Sequence, residues 1–495
     1  MTTDQLPPPD RVFAIEKHGF DFIPLTERNM TLTGAGLFWA GTQANLLPMT
    51  LGALGVALGL PLWLAIAAVV VGNLFFILVA VNCVVGPRAG VPTLTFARAA
   101  FGTRGNLPNV ALTWIALVSF EVLNTILAAL AILAFLRVIG VPDPGIVGQL
   151  VAVVAVVAVG AVIAAFGHSA MVWIQRIASV VLLVSLVLVL AFTIGGADWT
   201  GTTAVDSGSA IVLLSIAAAA NASGPISYLF NAPDYFRYLP SDVPPRKLFV
   251  VLFAVGFGMA TMLGVLGAVL ASQVDMSDPI GAPAVLMPTP IYLLFLLAAV
   301  IGSISNNVPT LYSSGLTLQA LGVPITRLAG TLLDSVLSAA LTLYVVVNGG
   351  FLDVLELFAA LLIVWLLPFG ATYAADAVAR RWVYDPVDLH DRGRKSQYFG
   401  VNFAGIAALA AGIGVALFTI DSDVFVGPIS AAMGGIDLSW IAPLPVAFAV
   451  YFALAWKRLR SPTQSELARV ALERQQSLHT TEREVLDQEQ TTAHQ

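Results

Sequence analysis

The third long apolar stretch of the sequence carries Phe120-Glu121-Val122-Leu123-Asn124. Phe120 and Asn124 stand four apart, so on a helix they share one face. That face offers a ring for stacking beside an amide that pairs with a ring carbonyl and N–H. Glu121 is the one glutamate well inside such a stretch. A carboxylate there costs about 2.5–3.5 kcal/mol on insertion scales, and it marks an ion or proton path or a protonated acid bonded to a neighbouring helix. Asp334 is a second acid of this kind, nearer the end of its stretch.

Two further segments combine polar side chains with a helix breaker. Gly41-Thr42-Gln43-Ala44-Asn45-Leu46-Leu47-Pro48 ends on a proline, and Asn221-Ala222-Ser223-Gly224-Pro225 does the same. Proline lacks the N–H that bonds four residues back, so the carbonyls of Ala44 and Asn221 are expected to be free. A third segment, Gly302 to Ser314, holds Ser303, Ser305, Asn306, Asn307 and Thr310 around Pro309. Pro309 releases the Ser305 carbonyl, which puts a free carbonyl and a hydroxyl on one residue. Such oxygens suit a hard cation such as sodium, while a serine-rich packing seam is the plainer alternative. Gln43 and Asn45 are open between contacting a ligand and capping the broken helix.

The elements that position these groups are membrane spans. Of 495 residues, 58% are hydrophobic and 11% charged, well under the share of charge in soluble chains. Runs of about 20 apolar residues cross a bilayer, and they fall near 34–59, 61–85, 107–139, 146–166, 171–193 and 209–231, then near 248–271, 289–320, 326–347, 351–374, 400–420 and 438–456. The expected architecture is thus an all-α integral membrane protein with twelve spans, numbered here in chain order. Residues 1–30 are read as a cytoplasmic segment without a cleaved signal peptide, 31–456 as the twelve-helix membrane domain, and 457–495 as a polar cytoplasmic tail.

Charge fixes the orientation. With the N-terminus inside, every lysine and arginine of the 23 except Arg137 falls on a cytoplasmic segment, as the positive-inside rule requires of an inner or plasma membrane protein. The outward loops carry acids instead, Asp143, Asp198, Asp206, Asp275, Asp278, Asp421, Asp423 and Asp437, so the net charge of −6 is no hint of a charged partner or of nucleic acid. The single cysteine, Cys83, excludes an intrachain disulfide, and the five histidines lie in or beside cytoplasmic segments. No resident metal or cofactor is expected, and no Ser-His-acid or phosphate-cradling constellation suggests an enzyme.

Spans 1 and 6 occupy equivalent places if the chain is two five-helix repeats, about 31–200 and 207–380, with spans 11 and 12 appended at about 400–456. Matched Gly and Pro interruptions in two halves point to a transporter's midplane site. Polar groups gathered at one depth favour a carrier over a channel, whose pore is lined along its length. A non-transporting receptor on the same scaffold is the reading from another class.

The cytoplasmic end of span 6, Asn231 to Pro240 (N-A-P-D-Y-F-R-Y-L-P), resembles the Asp-Tyr-Ser-Arg-Tyr element of the nucleobase:cation symporter-1 family, which includes purine-cytosine permeases, cytosine permeases and hydantoin carriers. The loop from Gly86 to Gly105 is similar to that family's arginine- and glycine-rich signature, and Ala375-Asp376 resembles a third family position. The likeness covers roughly residues 25–456. It implies a leucine-transporter-type 5+5 inverted repeat and import of a nucleobase or related heterocyclic amide by sodium or proton symport through alternating access. An amino-acid symporter of the same fold is the nearest rival.

The resemblance also implies site residues. Phe120 and Asn124 fit the family's aromatic and amide pair on helix 3. Gly224 fits the backbone contact on helix 6, with Tyr228 or Phe230 as the second stacking face because Pro225 stands where hydantoin carriers have tryptophan. Gly41, Ala44 and Ser305 match the family's sodium ligands. Asn306 or Asn307 takes the asparagine position of helix 8, which leaves open whether Thr310 faces the substrate. Glu121, where the family shows no carboxylate, is a candidate proton carrier. The oligomeric state is open.

Overall fold

The computed structural model describes residues 22–24, 27–43, 45–142, 145–199, 207–348, 362–422, 424–459 and 469. Ala44, the first part of span 10 with Asp353 and Glu356, the outer acids Asp143, Asp206 and Asp423, and nearly all of the N-terminal segment and polar tail lie outside them. The described residues are helical, with no strand among them. An apolar chain in hydrocarbon has no water to bond its backbone, and the helix answers this by bonding every N–H and C=O within the segment.

Among the described residues nine helices are long and apolar enough to cross a membrane. They are span 2 at Leu62–Ala89, span 3 at Leu107–Val138, span 4 at Gly145–Phe166, span 5 at His168–Gly196, span 6 at Gly208–Phe230, span 7 at Pro245–Ala271, span 8 at Thr289–Leu321, span 9 at Arg327–Asn348 and span 10 at Leu362–Ala379. Span 1 is split into Leu32–Gln43 and Leu46–Ala57, and spans 11 and 12 are the shorter helices Phe403–Thr419 and Pro443–Leu459.

The outer spans show why they sit at the rim. Span 4 exposes Val147, Val151, Val154 and Val162 while it buries Ala152, Val153, Val156 and Ala161. An apolar residue on the exposed face costs nothing when the solvent is lipid, and small residues on the inner face let helices approach. Spans 3 and 8 run along each other, the second half of span 1 lies on span 7, its first half lies on span 5, and spans 10, 11 and 12 form one group. The contact of spans 1 and 7 is backbone to backbone. A Cβ added at Gly52 would stand 2.1 Å from the Gly264 carbonyl oxygen, and one at Gly267 would stand 1.9 Å from that of Met49.

The break in span 1 falls where the prolines and amides place it. Asn45 is extended, with φ −132° and ψ 171°, and its side-chain oxygen accepts from Leu47 N at 2.9 Å to cap the second half. Pro48 then lies in the first turn of that half, where its missing N–H costs no helical bond.

Span 6 corrects the expectation of a break at Asn221–Pro225. The α-helix runs through Pro225 from Ser207 to Ser227, tightens to a 3-10 turn at Tyr228–Phe230, and restarts only at Ala232–Phe236. A proline removes only one helical bond, and polar side chains on either side of it bond carbonyls of their own preceding turn. Ser223 Oγ donates to Ala220 O at 2.6 Å, Ser227 Oγ to Gly224 O at 2.5 Å, and Asn221 Nδ2 to Ala217 O at 2.8 Å. Span 8 likewise stays helical through Pro309.

The two long motifs meet each other at the arginine-rich end. Asp234 Oδ1 accepts from both the backbone N–H and the hydroxyl of Thr93, at 2.6 and 2.7 Å, and Asp234 Oδ2 accepts from Ser313 Oγ at 3.2 Å. Arg237 donates to Tyr312 Oη at 2.7 Å. The loop after span 2, the end of span 6 and span 8 are thereby tied together. Asp376 ties the other group, accepting from Arg380 Nε at 2.8 Å, Tyr384 Oη at 3.0 Å and the Tyr451 hydroxyl.

Candidate functional site

Beside the break of span 1 and the tightened end of span 6 lies a cavity between spans 1, 2, 3, 6, 7 and 8. Of the residues expected at a binding site, Gln43, Asn45, Phe120, Gly224, Tyr228, Asn306 and Thr310 line it, and every residue lining it is uncharged. Gly224 contributes open wall, since a Cβ there would meet nothing nearer than Leu51 Cδ1 at 4.0 Å.

A relay of amides crosses the cavity. Asn124 Nδ2 donates to Asn306 Oδ1 at 2.8 Å and to the Phe120 carbonyl at 3.0 Å. Asn306 Nδ2 donates in turn to the Thr42 carbonyl at 2.7 Å and to Tyr228 Oη at 2.9 Å. Asn124 thus stands behind the cavity wall and reaches it through Asn306. This also decides the register of span 8, because Asn307 turns away and donates to Thr125 Oγ1 at 3.3 Å. Thr310 faces the cavity while its hydroxyl donates to the Asn306 carbonyl at 3.1 Å.

Two aromatic rings border the space. Phe120 and Phe230 pack against each other in a tilted contact, with centroids 6.3 Å apart and planes 41° apart. Tyr228 packs its ring on Trp39, centroids 4.8 Å apart, and gives its hydroxyl to the amide relay. Of the two residues of span 6 open as the second aromatic face, Phe230 is therefore the one packed on Phe120. Asn45 has a double position, capping the second half of span 1 while lining the cavity. Gln43 lines it with Nε2 buried and, among the described residues, without a hydrogen-bond partner.

Glu121 is placed elsewhere. It is fully buried and absent from the cavity wall, with Asp334 and Ser338 of span 9 as its polar neighbours. Asp334 accepts from Trp114 Nε1 at 2.8 Å and from Ser314 Oγ at 2.5 Å. On the helix of span 3 the residue after Phe120 points about 100° further round the axis, which turns Glu121 toward span 9.

Gly41 and Ser305 come together beside the cavity, the Ser305 hydroxyl lying 3.3 Å from the Gly41 carbonyl. Sequence reading missed their third partner, Gln175 of span 5. Its Nε2 donates to the Ser305 carbonyl at 2.6 Å and its Oε1 accepts from Ser305 Oγ at 2.5 Å. The signal was a lone amide in the apolar run Met171 to Val181, masked by Arg176 beside it. Asn73 and Ser227 also line the cavity, as do Asn221 of the span 6 proline segment and Asn231 at the start of the Asn231–Pro240 motif, none of which was assigned to the substrate from sequence.

Comparison with known proteins gives the same architecture. The chain resembles Mhp1, a nucleobase-cation-symport-1 family transporter, in a closed conformation with bromovinylhydantoin bound, at TM-score 0.73 and 20% identity over 91% of this chain and 98% of that one. It resembles the inward-facing conformation of Mhp1 at TM-score 0.68 and 18% identity, over 92% and 99%. Likeness at that identity shows the fold, an inverted-repeat transporter of twelve spans. The chain is 25% identical over 462 residues to the putative purine-cytosine permease YxlA of Bacillus subtilis, covering 90% of this chain and 97% of the relative. The family model described as permease for cytosine/purines, uracil, thiamine, allantoin matches residues 22–442, and so the chain belongs to that family of membrane transporters, the nucleobase:cation symporter-1 family.

Proposed function

We propose that this protein imports a neutral heterocyclic amide, a nucleobase or hydantoin-like ring, by cation symport through alternating access. The observation that carries this reading is the cavity itself, with two phenyl rings packed side by side in its wall, an amide relay and no charged wall residue. A flat ring stacks against the aromatic wall that Phe120 and Phe230 form together, and such aromatic contacts add about 0.5–1.5 kcal/mol beyond the area they bury. Amides supply both donors and acceptors, which matches the alternating N–H and C=O edge of a base. An anionic substrate would leave its charge unpaired in this cavity, at a cost of several kcal/mol.

The relay also links the substrate to the broken helix. Thr42 and Gln43 end the first half of span 1, and Asn306 holds the Thr42 carbonyl. A base bonded to Asn306 or Gln43 therefore bears on the same break whose rearrangement opens or closes the site, and transport in this fold proceeds by one group of helices rocking against the other. The lysine- and arginine-rich loops support a plasma-membrane orientation with those loops in the cytoplasm. Coupling requires that cation and base favour each other's binding by equal free energy.

The test is uptake of labelled cytosine, hypoxanthine, uracil, allantoin and hydantoin into vesicles holding the purified protein, with sodium and pH gradients imposed separately. Accumulation of at least one ring under one gradient is expected. If none accumulates under either, the substrate class is wrong.

A further inference from the structure

Span 5 sends one polar side chain into the junction of spans 1 and 8, and it fills the place where the freed oxygens converge. Pro309 has no N–H for the Ser305 carbonyl, and Gln175 Nε2 supplies the missing donor at 2.6 Å. The other end of the same carboxamide takes the Ser305 hydroxyl at 2.5 Å. Gly41 closes the third side. A Cβ there would stand 2.3 Å from Gln175 Oε1 and 2.7 Å from the Gln175 carbonyl oxygen, so the absent side chain is what admits the amide. Gln175 and Ser305 are each 1% exposed, and water has no access with which to satisfy these groups instead.

We propose that the Gln175 carboxamide is a built-in occupant of the cation position between Gly41 and Ser305, and that this position takes no sodium in the wild-type protein. This deepens the coupling part of the function proposed above.

The physical argument is competition for oxygens. A sodium ion gathers several oxygen ligands from carbonyls and hydroxyls. Here the Ser305 carbonyl and hydroxyl are already engaged by one neutral amide, whose N–H end presents the positive pole of its dipole to the carbonyl. Admitting an ion would expel a buried amide from two hydrogen bonds and leave its donors unpaired, a cost of about 1–3 kcal/mol for each group left unsatisfied. A merely structural glutamine predicts something different, because removing it would then lower stability without creating an ion site.

The test needs no base, so its outcome is separate from that of the substrate assignment. The purified protein is melted in sodium chloride and in potassium chloride of equal ionic strength, over a concentration series, for the wild type, Gln175→Ala, Gln175→Ser and Gln175→Leu. Ligand that binds only the folded state raises its melting temperature. The wild type is expected to melt alike in both salts. Gln175→Ala and Gln175→Ser, which open the oxygens, are expected to melt lower in potassium and to gain at least about 2 °C in sodium, saturably. Gln175→Leu, which refills the space without polar atoms, should gain nothing. Saturable stabilisation of the wild type by sodium over potassium would overturn the proposal. So would folded Ala and Ser variants that ignore sodium. If neither variant folds, the wild-type series still decides, a flat response supporting the proposal and a sodium-specific rise defeating it.

Discussion

Asn124 of span 3 donates its side-chain amide to Asn306 of span 8 at 2.8 Å, joining residues 182 apart in sequence. The bond fixes which edge of Asn306 faces the cavity, because an amide whose oxygen is occupied turns its nitrogen toward Thr42 and Tyr228. The residue that orients the site is therefore one layer behind the residue that presents it.

Asn124→Ala removes that orientation while leaving the helix in place, since alanine is the best helix former. Base binding should weaken about 10- to 100-fold, the worth of one or two buried hydrogen bonds, and uptake should be lost while folded protein is retained, with a melting temperature lowered by the donor that Asn306 Oδ1 loses. Normal uptake by this variant would remove the relay from the site.

Two glycines should respond in opposite ways. Gly224→Ala adds a methyl to open cavity wall, so the fold should hold while affinity for the ring falls. Gly52→Ala drives a methyl to 2.1 Å from the Gly264 carbonyl oxygen, where only backbone can yield, and should cost the protein its folded yield. Melting curves together with binding isotherms separate the two effects.

On the proposal that Gln175 fills the cation position, Glu121 is the proposed carrier of a coupling proton, with Asp334 as its acidic neighbour. Glu121→Gln keeps the shape and removes the titratable group, so uphill accumulation under a pH gradient should vanish. Exchange of labelled for unlabelled base should persist, because Glu121 does not line the cavity. Uphill accumulation by this variant would clear Glu121 of the role.

Asp437, in the loop before span 12, offers a pH-dependent readout of stability. Burial pushes its carboxyl up to about 6, against the pull of the Ser439 hydrogen bonds, and the Asp421 charge adds to the rise. A carboxyl whose folded value lies above its unfolded value near 4 contributes stability that is complete below about pH 4 and lost as pH climbs through about 6. The melting temperature should carry a component that falls between about pH 4 and pH 7, and Asp437→Asn should flatten it. An unchanged slope in that variant would assign the pH dependence to another group.

The correction at span 6 shows how far a breaker residue can be read. Pro225 removes one donor from the helix, which the sequence states, yet the helix continues through it, and Ser223, Ser227 and Asn221 spend their side chains on carbonyls of the preceding turn. The same side chains read equally well as ligands or as caps until their neighbours are known. In span 1 the balance goes the other way, with Asn45 ending the discontinuity by capping the second half.

What the sequence determined by itself was everything set by the solvent and by chain-local chemistry. Apolar runs long enough for a bilayer and polar side chains set within them were enough for twelve spans and a carrier, because each follows from hydrocarbon's refusal of unbonded backbone and charge. Only the tertiary structure decided which polar residues of a span look at one another. Phe230 rather than Tyr228 packs on Phe120, Asn306 rather than Asn307 meets Asn124, Glu121 turns to span 9, and Gln175 enters the junction of Gly41 and Ser305. Each outcome depends on the rotation of one helix about its axis relative to another, and a step of one residue turns a side chain by about 100°. That rotation is set by packing across the whole bundle, through contacts between residues far apart in the chain.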